Sequence, residues 1–394
     1  MNKILFHSLT YPPESISTGL LVSKIAEEFK NLGFHIEVLA SSPQYIDSNI
    51  EEFKNSKKGI ITKEYQGIKV HYIISKKRKF KKFSRFTQWI NFNLNAIKFL
   101  FKNRKIYKEL FIFSYPPTMN ITCLVSSKIL KIKTHYSVWE LYPEIAVKLG
   151  KLKSKLLTFL FKKLDNFALN SVENVIVNSN SLRDYLISSR NINANKIKVI
   201  SHFSPNNRST TFPDYKISKI MYAGNLGVPQ NLTKFIDFFS ENTQENWKLI
   251  IFGSGEEYEK IKKLNNDKID VKEYINRQDL EKLTAEIPFA LISLHGDILY
   301  EGFPGKTYDY LNMNKILINF SNKNSVVTKF VKEFGLGFNI DANIPIQEKF
   351  DINLLEDSEA LEEIQENITK FNEKYNTPKI VAAKYIKLVS TFSS

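Results

Sequence analysis

The apolar positions of the chain follow two alternating spacings. Short apolar runs such as Ile4–His7 and Ile36–Ala40 are typical of buried strands. The segment between them repeats apolar residues at helical spacing and ends at Gly33, a residue that favours helix termination. Strand, helix and strand therefore form a βαβ unit, and the loop after its first strand lies at the sheet edge where ligands bind in open α/β folds.

The same alternation continues to the end of the chain, which predicts parallel sheets with right-handed crossovers. In the first half it predicts further strands at Val70–Ile74, Leu110–Phe113, Thr134–Val138, Val175–Val177 and Ile197–Ile200, and helices at 86–105, 118–130, 152–169 and 180–188. In the second half it predicts strands at Ile217–Ala223, Lys248–Phe252, Val271–Tyr274, Phe289–Leu294 and Ile316–Phe320.

A polar, proline-punctuated stretch near residues 204–213 separates the two runs of alternation and is typical of a linker. We therefore predict two Rossmann-like domains, at 1–205 and 217–375, joined by a linker at 206–216. The remaining segment, 376–394, has the apolar spacing of a helix. A length of 394 residues suits two domains better than one.

Composition narrows the class of protein. The single cysteine, Cys123, excludes an intramolecular disulfide framework and fits a reducing compartment, so we expect a cytoplasmic location. The apolar stretch at the N-terminus is too short for a secretory signal and is interrupted by His7. No apolar run is long enough to span a membrane.

The net charge of +15 indicates an anionic partner. Much of this charge is concentrated in Lys76–Arg85, and aromatic residues interleave with it or follow it. Those aromatic residues are Phe80, Phe83, Phe86, Trp89, Phe92 and Phe99. A segment of this kind suits an anionic lipid surface or a nucleic acid, and a solvated basic face explains it as well.

Three loops of the second half combine the residue types that bind a phosphorylated ligand. Gly224, Asn225 and Gly227 follow one predicted strand, and Gly253 and Ser254 follow the next. Glycines before a helix allow close approach of the backbone to an anion, although ordinary βα turns explain both segments too.

The third loop, Glu301–Leu311, is the most informative. It holds Glu301 and Asp309 as two acids, Gly302 and Gly305, and Lys306 between the acids. Carboxylates bind sugar hydroxyls, and a cation with backbone N–H groups binds a diphosphate. A solvated loop is the alternative interpretation.

Other candidates lie at the ends of strands. Arg277 is the best second phosphate cation, although a surface arginine is the commoner explanation. In the first half, Glu140 and Glu144 follow Thr134–Val138 and either contact an acceptor or begin a helix. The sequence has no metal-binding pattern, no nucleophile elbow and no dinucleotide fingerprint.

Taken together, these segments resemble the family-4 retaining glycosyltransferases of the GT-B fold, most closely the bacterial subgroup that builds capsule, O-antigen and exopolysaccharide. Tyr11–Glu14 with Thr18 and Gly19 resembles the family's first loop, and Glu140–Glu144 resembles its Asp-Leu-Trp-Pro-Glu motif with two substitutions. Gly224–Gly227 with Gln230 resembles its first C-terminal loop. The spacing from Glu301 to Asp309 matches its pair of glutamates, with aspartate as the second acid.

This resemblance implies two doubly wound domains facing a cleft, with the C-terminal helix crossing back to the N-terminal domain. The first domain would bind the acceptor and the second a nucleotide sugar. It implies catalytic roles for Glu301, Lys306 and Arg277 and acceptor contacts for Thr18, Glu140 and Glu144. The donor would be bound by Gly19, Gly224, Asn225, Gly227, Gly253, Ser254, Tyr274, Gly302, Phe303, Tyr308 and Asp309.

The implied reaction moves a sugar, from a donor that is most simply UDP-linked, to a polyprenyl-linked or glycan acceptor with retained configuration. No metal or other cofactor is expected. The Lys76–Arg85 segment would hold the enzyme peripherally on the inner face of the cell membrane. Three alternatives remain at this point: another GT-B enzyme such as a nucleotide-sugar epimerase, a non-catalytic GT-B partner subunit, and a basic nucleic-acid-binding protein.

Overall fold

A computed structural model describes residues 3–14, 17–43, 53, 59–75, 82–113, 118–343, 345 and 352–389, the side chains of 82–86 and 352–353 excepted. The chain divides into two compact units. The first comprises Met1–Val147, Leu152–Pro205 and Pro378–Ser394, and the second comprises Lys148–Lys151 and Asn206–Thr377.

The described part of the first unit contains an eight-stranded sheet in the order β3-β4-β2-β1-β5-β6-β7-β8. Its strands are β1 (Lys3–His7), β2 (Ile36–Ser41), β3 (Ile60–Tyr65), β4 (Ile68–Ile73), β5 (Tyr107–Phe113), β6 (Lys133–Val138), β7 (Asn174–Val177) and β8 (Ile197–Val199). Only β3 in this sheet is antiparallel to its neighbour, β4. Most residues of the inner strands β1, β2, β5, β6 and β7 are buried, as expected for a parallel sheet covered on both faces.

Helices cover both faces of this sheet. They are α1 (Ser17–Asn31), α2 (Lys82–Asn103), α3 (Met119–Leu124, continued by a π-helical turn at Val125–Ile129), α4 (Glu144–Lys148), α5 (Lys155–Ser171), α6 (Asn180–Arg190) and, after the second unit, α13 (Pro378–Ile386). α1 and α2 cross the sheet in opposite directions, so right-handed crossovers place them on opposite faces. α3, α5 and α6 share the face of α2, whereas α13 packs against α1.

The second unit has a parallel six-stranded sheet in the order β11-β10-β9-β12-β13-β14. Its strands are β9 (Lys219–Asn225), β10 (Lys248–Ser254), β11 (Ile269–Lys272), β12 (Phe289–Ser293), β13 (Ile316–Ser321) and β14 (Gly337–Asp341). Its helices are α7 (Leu232–Asn242), α8 (Tyr258–Lys262), α9 (Arg277–Leu283), α10 (Lys306–Asn312), α11 (Val326–Phe334) and α12 (Ser358–Tyr375).

The prediction of two doubly wound α/β units is confirmed, and the differences are local. β3 and β14 were not predicted, and β11 begins two residues before the predicted strand. The predicted linker, 206–216, lies in the second unit. The amide of Asn312 donates to the carbonyl oxygens of Asn206 (3.1 Å) and Asn207 (2.8 Å), which fixes the start of this segment on α10.

Strand order locates the ligand-binding edge of the second unit. From β9 the chain runs outward through β10 to β11, and it then returns to the other side of β9 with β12. The order therefore reverses between β9 and β12, and in open α/β sheets ligands bind at the carboxyl ends of the strands that flank such a switch point. Gly224 and Asn225 end β9 and Gly227 follows it, while residues 301–305 lie between β12 and α10, which begins at Lys306.

Candidate functional site

The carboxyl ends of β9 and β10, each of which contains a glycine, lie side by side next to this switch point. Gly253 pairs with Gly224 in the sheet register, and the N–H of Leu226 donates to the carbonyl oxygen of Ser254 (2.9 Å). A Cβ on Gly253 would lie 2.1 Å from the carbonyl oxygen of Gly224. This position therefore requires glycine because the two backbones touch, whatever the loops bind.

We expect Gly253→Ala to destabilise the second unit by about 2 kcal/mol or more, since the clash is with backbone that cannot rotate away. Chemical denaturation monitored by circular dichroism measures this change. Ser254→Ala, on an adjacent exposed residue, is the control and should change the free energy of unfolding by less than about 0.5 kcal/mol. Equal stability of the two variants would contradict the close approach.

Lys306 places its ammonium group against the carboxyl end of β9. Its Nζ lies 3.7 Å from the centroid of the Tyr222 ring and 2.8 Å from where a Cβ on Gly224 would stand. The nitrogen is buried and makes no hydrogen bond within the described residues. Burial lowers the pKa of Lys306 to about 7, and the nearby carboxylate of Asp309 opposes this shift. A buried cation without an acceptor marks a place where an anion would be stabilised.

Tyr310 holds α10 against the β9 loop. Its hydroxyl accepts from the N–H of Ala223 (2.7 Å) and donates to the carbonyl oxygen of the same residue (3.1 Å). These bonds tie α10 to β9 next to Gly224, and Lys306 is the first residue of α10. The hydrogen bonds of Tyr310 thus fix the helix that carries Lys306 relative to β9, which limits the positions that its ammonium group can take.

Arg277 and Asp309 meet although they are far apart in sequence. The guanidinium Nη2 of Arg277 lies 2.9 Å from Oδ2 of Asp309, and Nη1 donates to Oδ1 of Asn206 (3.3 Å). Arg277 is the first residue of α9, where the side chain of Asn276 caps the helix by accepting from the N–H of Asp279. The fold thus brings together three predicted residues, Arg277, Lys306 and Asp309.

Glu301 is fully buried just before α10. Its Oε2 accepts from the N–H groups of Leu299 (2.9 Å) and Tyr300 (3.1 Å), which fixes the orientation of the carboxylate. Its Oε1 lies 2.7 Å from Nζ of Lys148, which also donates to the carbonyl oxygen of Asp297 (2.8 Å). Sequence reasoning missed Lys148, because one lysine among several in 148–155 carries no signal of its own.

The other predicted donor residues fall into two groups. Asn225 and Gly227 lie beside Gln230, which accepts from the Asn225 amide (2.9 Å), while Ser254 and Tyr274 are exposed at loop ends. The side chains of Phe303 and Tyr308 lie instead in an aromatic core cluster with Phe330 and Phe371. We therefore assign the ring of Tyr308 to the core rather than to the donor site.

In the first unit, Gly19 lies in the first turn of α1 and packs against the loop after β1. A Cβ there would lie 3.1 Å from backbone atoms of Thr10 and Tyr11, and the neighbouring Thr18 is half-buried. Glu140 is exposed, and its carboxylate accepts from the Tyr142 hydroxyl (3.4 Å). Both Thr18 and Glu140 are therefore open to a ligand of this unit.

Glu144, by contrast, is enclosed. Its Oε1 receives the guanidinium of Arg190 (2.7 Å) and the hydroxyl of Tyr185 (2.9 Å), and Arg190 also pairs with Asp165. Burial raises the pKa of Asp165 to about 7, with Arg190 opposing that shift. This cluster ties α4 to α5 and α6, so we interpret Glu144 as a structural residue rather than an acceptor ligand.

The predicted basic segment lies mostly outside the described residues, with 76–81 not described and the side chains of 82–86 excluded. Of its aromatic residues, Phe92 and Phe99 belong to the core and Trp89 is half-buried. Among the described residues, no group of three His, Cys, Asp or Glu side chains is arranged to hold a metal ion.

The site of the second unit thus combines glycines at strand ends with a buried ammonium group, a neighbouring guanidinium and two positioned carboxylates. Backbone N–H groups and cations of this kind bind a diphosphate, and carboxylates accept hydrogen bonds from sugar and ribose hydroxyls. The chemistry it supports is charge stabilisation and positioning of a phosphorylated sugar.

Comparisons with known proteins agree with this chemistry. Residues 205–372 match the family model described as "Glycosyl transferases group 1". A curated relative is the UDP-N-acetylglucosamine--N-acetylmuramyl-(pentapeptide) pyrophosphoryl-undecaprenol N-acetylglucosamine transferase of Borreliella burgdorferi. It is 25% identical over 351 residues, which cover 85% of this chain and 88% of that protein.

Solved structures share the whole fold. Sucrose-phosphate synthase of Thermosynechococcus elongatus superposes with a TM-score of 0.70 at 12% identity, over 98% of both chains. HepE of Anabaena, in complex with UDP and glucose, superposes with a TM-score of 0.67 at 14% identity, over 100% of both chains. The predicted GT-B fold is confirmed, and the match of residues 205–372 to the group 1 model supports a glycosyltransferase.

Proposed function

We propose that this glycosyltransferase moves a sugar from a UDP-linked donor, with retention of configuration and without a metal ion, to a lipid-linked acceptor in bacterial surface polysaccharide synthesis. The observation that carries the donor assignment is Lys306. Its buried Nζ has no hydrogen-bond acceptor within the described residues and lies against Gly224, which has no side chain to pair with it. A donor diphosphate is the ligand that would supply this missing charge.

The neighbouring residues suggest how the rest of the donor would bind. Arg277 is the second cation, and it would contact the diphosphate while keeping its ion pair with Asp309. Asp309 would accept from the ribose hydroxyls, although aspartate reaches one methylene less far than the usual glutamate. Glu301, oriented by two N–H groups, would accept from hydroxyls of the transferred sugar.

The named relatives support the finer assignments. The Borreliella relative is named for a UDP-linked donor and a pyrophosphoryl-undecaprenol acceptor, and the HepE complex contains UDP and glucose. We therefore favour UDP over other nucleotides and a polyprenyl-diphosphate acceptor bound by the first unit near Thr18, Gly19 and Glu140. The enzyme would work in the cytoplasm on the inner face of the membrane, held there in part by Lys76–Arg85.

The proposed mechanism relies on positioning. We identify no general base for a double displacement among the site residues, so the leaving phosphate oxygen would take the proton of the acceptor hydroxyl as the new bond forms on the same face. Lys306 and Arg277 would stabilise the negative charge that develops on the diphosphate. Each donor that hydrogen bonds to the leaving group only as it departs contributes about 10²–10³-fold in rate.

A thermal-shift series with UDP, GDP and ADP, with EDTA present throughout, tests the donor assignment. Of the three nucleotides, we expect only UDP to raise the melting temperature. A free UDP concentration of 100 times the dissociation constant adds about 2.7 kcal/mol to the free energy of unfolding. Lys306→Met should abolish the shift, and Lys282→Met, in the last turn of α9, should not. No shift with any nucleotide would contradict the assignment, and binding without sugar transfer would favour a non-catalytic partner subunit.

Calorimetry adds a signature specific to Lys306. Because burial lowers the pKa of this lysine to about 7, the neutral amine is the major form at pH 8. A bound diphosphate favours the charged form, so UDP binding at pH 8 should take up protons. Titrations in two buffers with different ionisation enthalpies measure that uptake, which Lys306→Met should remove.

A further inference from the structure

The outward face of α5 is apolar. Its most exposed large side chains are Leu156 (67% exposed), Phe159 (60%), Leu160 (49%) and Phe167 (60%). These positions are spaced at three, four, seven and eleven residues, so they form one stripe along the helix. The side of α5 that normally meets water therefore presents its largest hydrophobic groups.

The inward face of the same helix contains fewer large apolar side chains than its outward face, whereas in most surface helices the inward face contains more. Its buried residues are Asp165, Ala168 and Leu169. Asp165 is held there by Arg190, and the two others are smaller than the phenylalanines that point outward. Contacts within the unit thus do not account for the large apolar residues of α5, and an external apolar phase would.

Neighbouring helices extend this surface. α3 packs against both α2 and α5, and all three lie on one face of the sheet. On α2, Ile90, Leu94 and Phe101 are 36%, 51% and 41% exposed, and their spacing again defines one stripe. Ile121 on α3 is 37% exposed between them. We call the exposed stripes of α2, α3 and α5 the apolar–basic face.

The charge of these helices selects the kind of partner. The sequences of α2, α3 and α5 contain a single acidic residue, Asp165, which is buried. Exposed lysines flank the stripes at Lys153, Lys155 and Lys163 beside α5 and at Lys98 and Lys102 on α2. Apolar side chains ringed by lysines, without opposing acids, match the acyl and headgroup layers of an anionic bilayer.

We propose that the apolar–basic face docks the first unit onto an anionic lipid surface, with leucine and phenylalanine side chains in the acyl boundary and lysines at the headgroups. This surface is separate from Lys76–Arg85 and does not depend on the identity of the donor. Among the described residues, none of the helices has the length and apolar character of a membrane span. It would bring the first unit to the plane where a lipid-linked acceptor lies.

Co-sedimentation with vesicles of phosphatidylglycerol and phosphatidylcholine tests this proposal. Leu156→Ser with Leu160→Ser should lower the partition coefficient about tenfold or more, since each leucine that leaves the bilayer loses up to about 1.5–3 kcal/mol. The matched control, Leu32→Ser with Leu283→Ser, removes leucines that are 61% and 65% exposed away from this face and should partition as the parent protein does. Lys155→Gln with Lys163→Gln should weaken binding to the anionic vesicles only.

Equal partitioning of the Leu156/Leu160 variant and the control variant would overturn the proposal. So would sedimentation equilibrium showing that the parent protein self-associates and this variant does not, with vesicle binding unchanged; the face would then be an interface between copies. UDP affinity is the separate readout. UDP affinity should be the same in the parent protein and in all these variants. A protein that binds vesicles but does not bind UDP would contradict the proposed function and leave the docking proposal standing.

Discussion

Replacing Lys306 with methionine should lower kcat/KM for the sugar donor by at least about 100-fold while leaving the protein folded and more stable at neutral pH. The loss of activity follows from the proposed role, because a buried cation aimed at a departing diphosphate acts mainly on the transition state. Methionine keeps the length and much of the volume of the lysine side chain, so Tyr222 and Gly224 keep a neighbour of similar shape.

The gain in stability follows from the burial of an ammonium group without an acceptor. The pKa of Lys306 falls from 10.5 to about 7 on folding. Between these two values the unfolded chain binds a proton that the folded chain does not, so the free energy of unfolding of the parent protein rises with pH from about 7 to 10. The slope is at most about 1.4 kcal/mol per pH unit, and Lys306→Met should lack this contribution.

Lys315 provides the matched control for this prediction. It too is a buried lysine of the second unit whose pKa is lowered by burial, to about 8, but its Nζ donates to the carbonyl oxygens of Thr284 (2.6 Å) and Ala285 (3.1 Å). Lys315→Met removes both of these hydrogen bonds and should destabilise the protein by about 1–3 kcal/mol. Urea unfolding of both variants at pH 7 and pH 9 measures the change in the free energy of unfolding, which should be positive for Lys306→Met and negative for Lys315→Met. Near-parental turnover of Lys306→Met would remove this residue from the site.

Sequence patterns were sufficient for the parts of the fold that repeat. Continuous apolar runs such as Phe289–Ser293 identify buried parallel strands, and the same logic placed the loops after β9, β10 and β12 at one sheet edge. The pattern failed for β3, an edge strand whose residues are alternately exposed and half-buried. None of its side chains is fully buried, so the strand does not need the continuous apolar run that identifies the inner strands. It failed for β14 because Gly337 and Asn339 interrupt the apolar signal.

Side-chain partners were harder to predict than loops. The pair Arg277 and Asp309 joins residues 32 positions apart, and the sequence supplied both of them without showing that they meet. Lys148 carries no pattern that separates it from neighbouring lysines. The outward face of α5 shows the opposite failure, since helical apolar spacing predicts a buried stripe and only the surrounding packing shows which side faces out.

Glu301→Gln should lower kcat/KM by about 100-fold, the second-largest effect we expect. The substitution preserves shape but replaces a carboxylate by an amide, which accepts more weakly from sugar hydroxyls and places an N–H₂ group where an acceptor is needed. Part of the change would be structural, because the carboxylate also receives Leu299 N–H, Tyr300 N–H and the ammonium of Lys148. We therefore expect a loss of about 1–3 kcal/mol in the free energy of unfolding as well.

Lys148→Met separates the two effects. It removes the partner of Oε1 and leaves Oε2 bound to both N–H groups, so the carboxylate stays oriented while the ion pair is lost. If Glu301 contacts the sugar, Lys148→Met should retain at least about a tenth of the parental kcat/KM, far more than Glu301→Gln retains. A double-mutant cycle on the free energy of unfolding should show that the two residues are coupled, since they share one contact. Equal losses of turnover in both single variants would mean that Glu301 serves only to anchor the segment around Lys148, and its assignment to the donor sugar would be withdrawn.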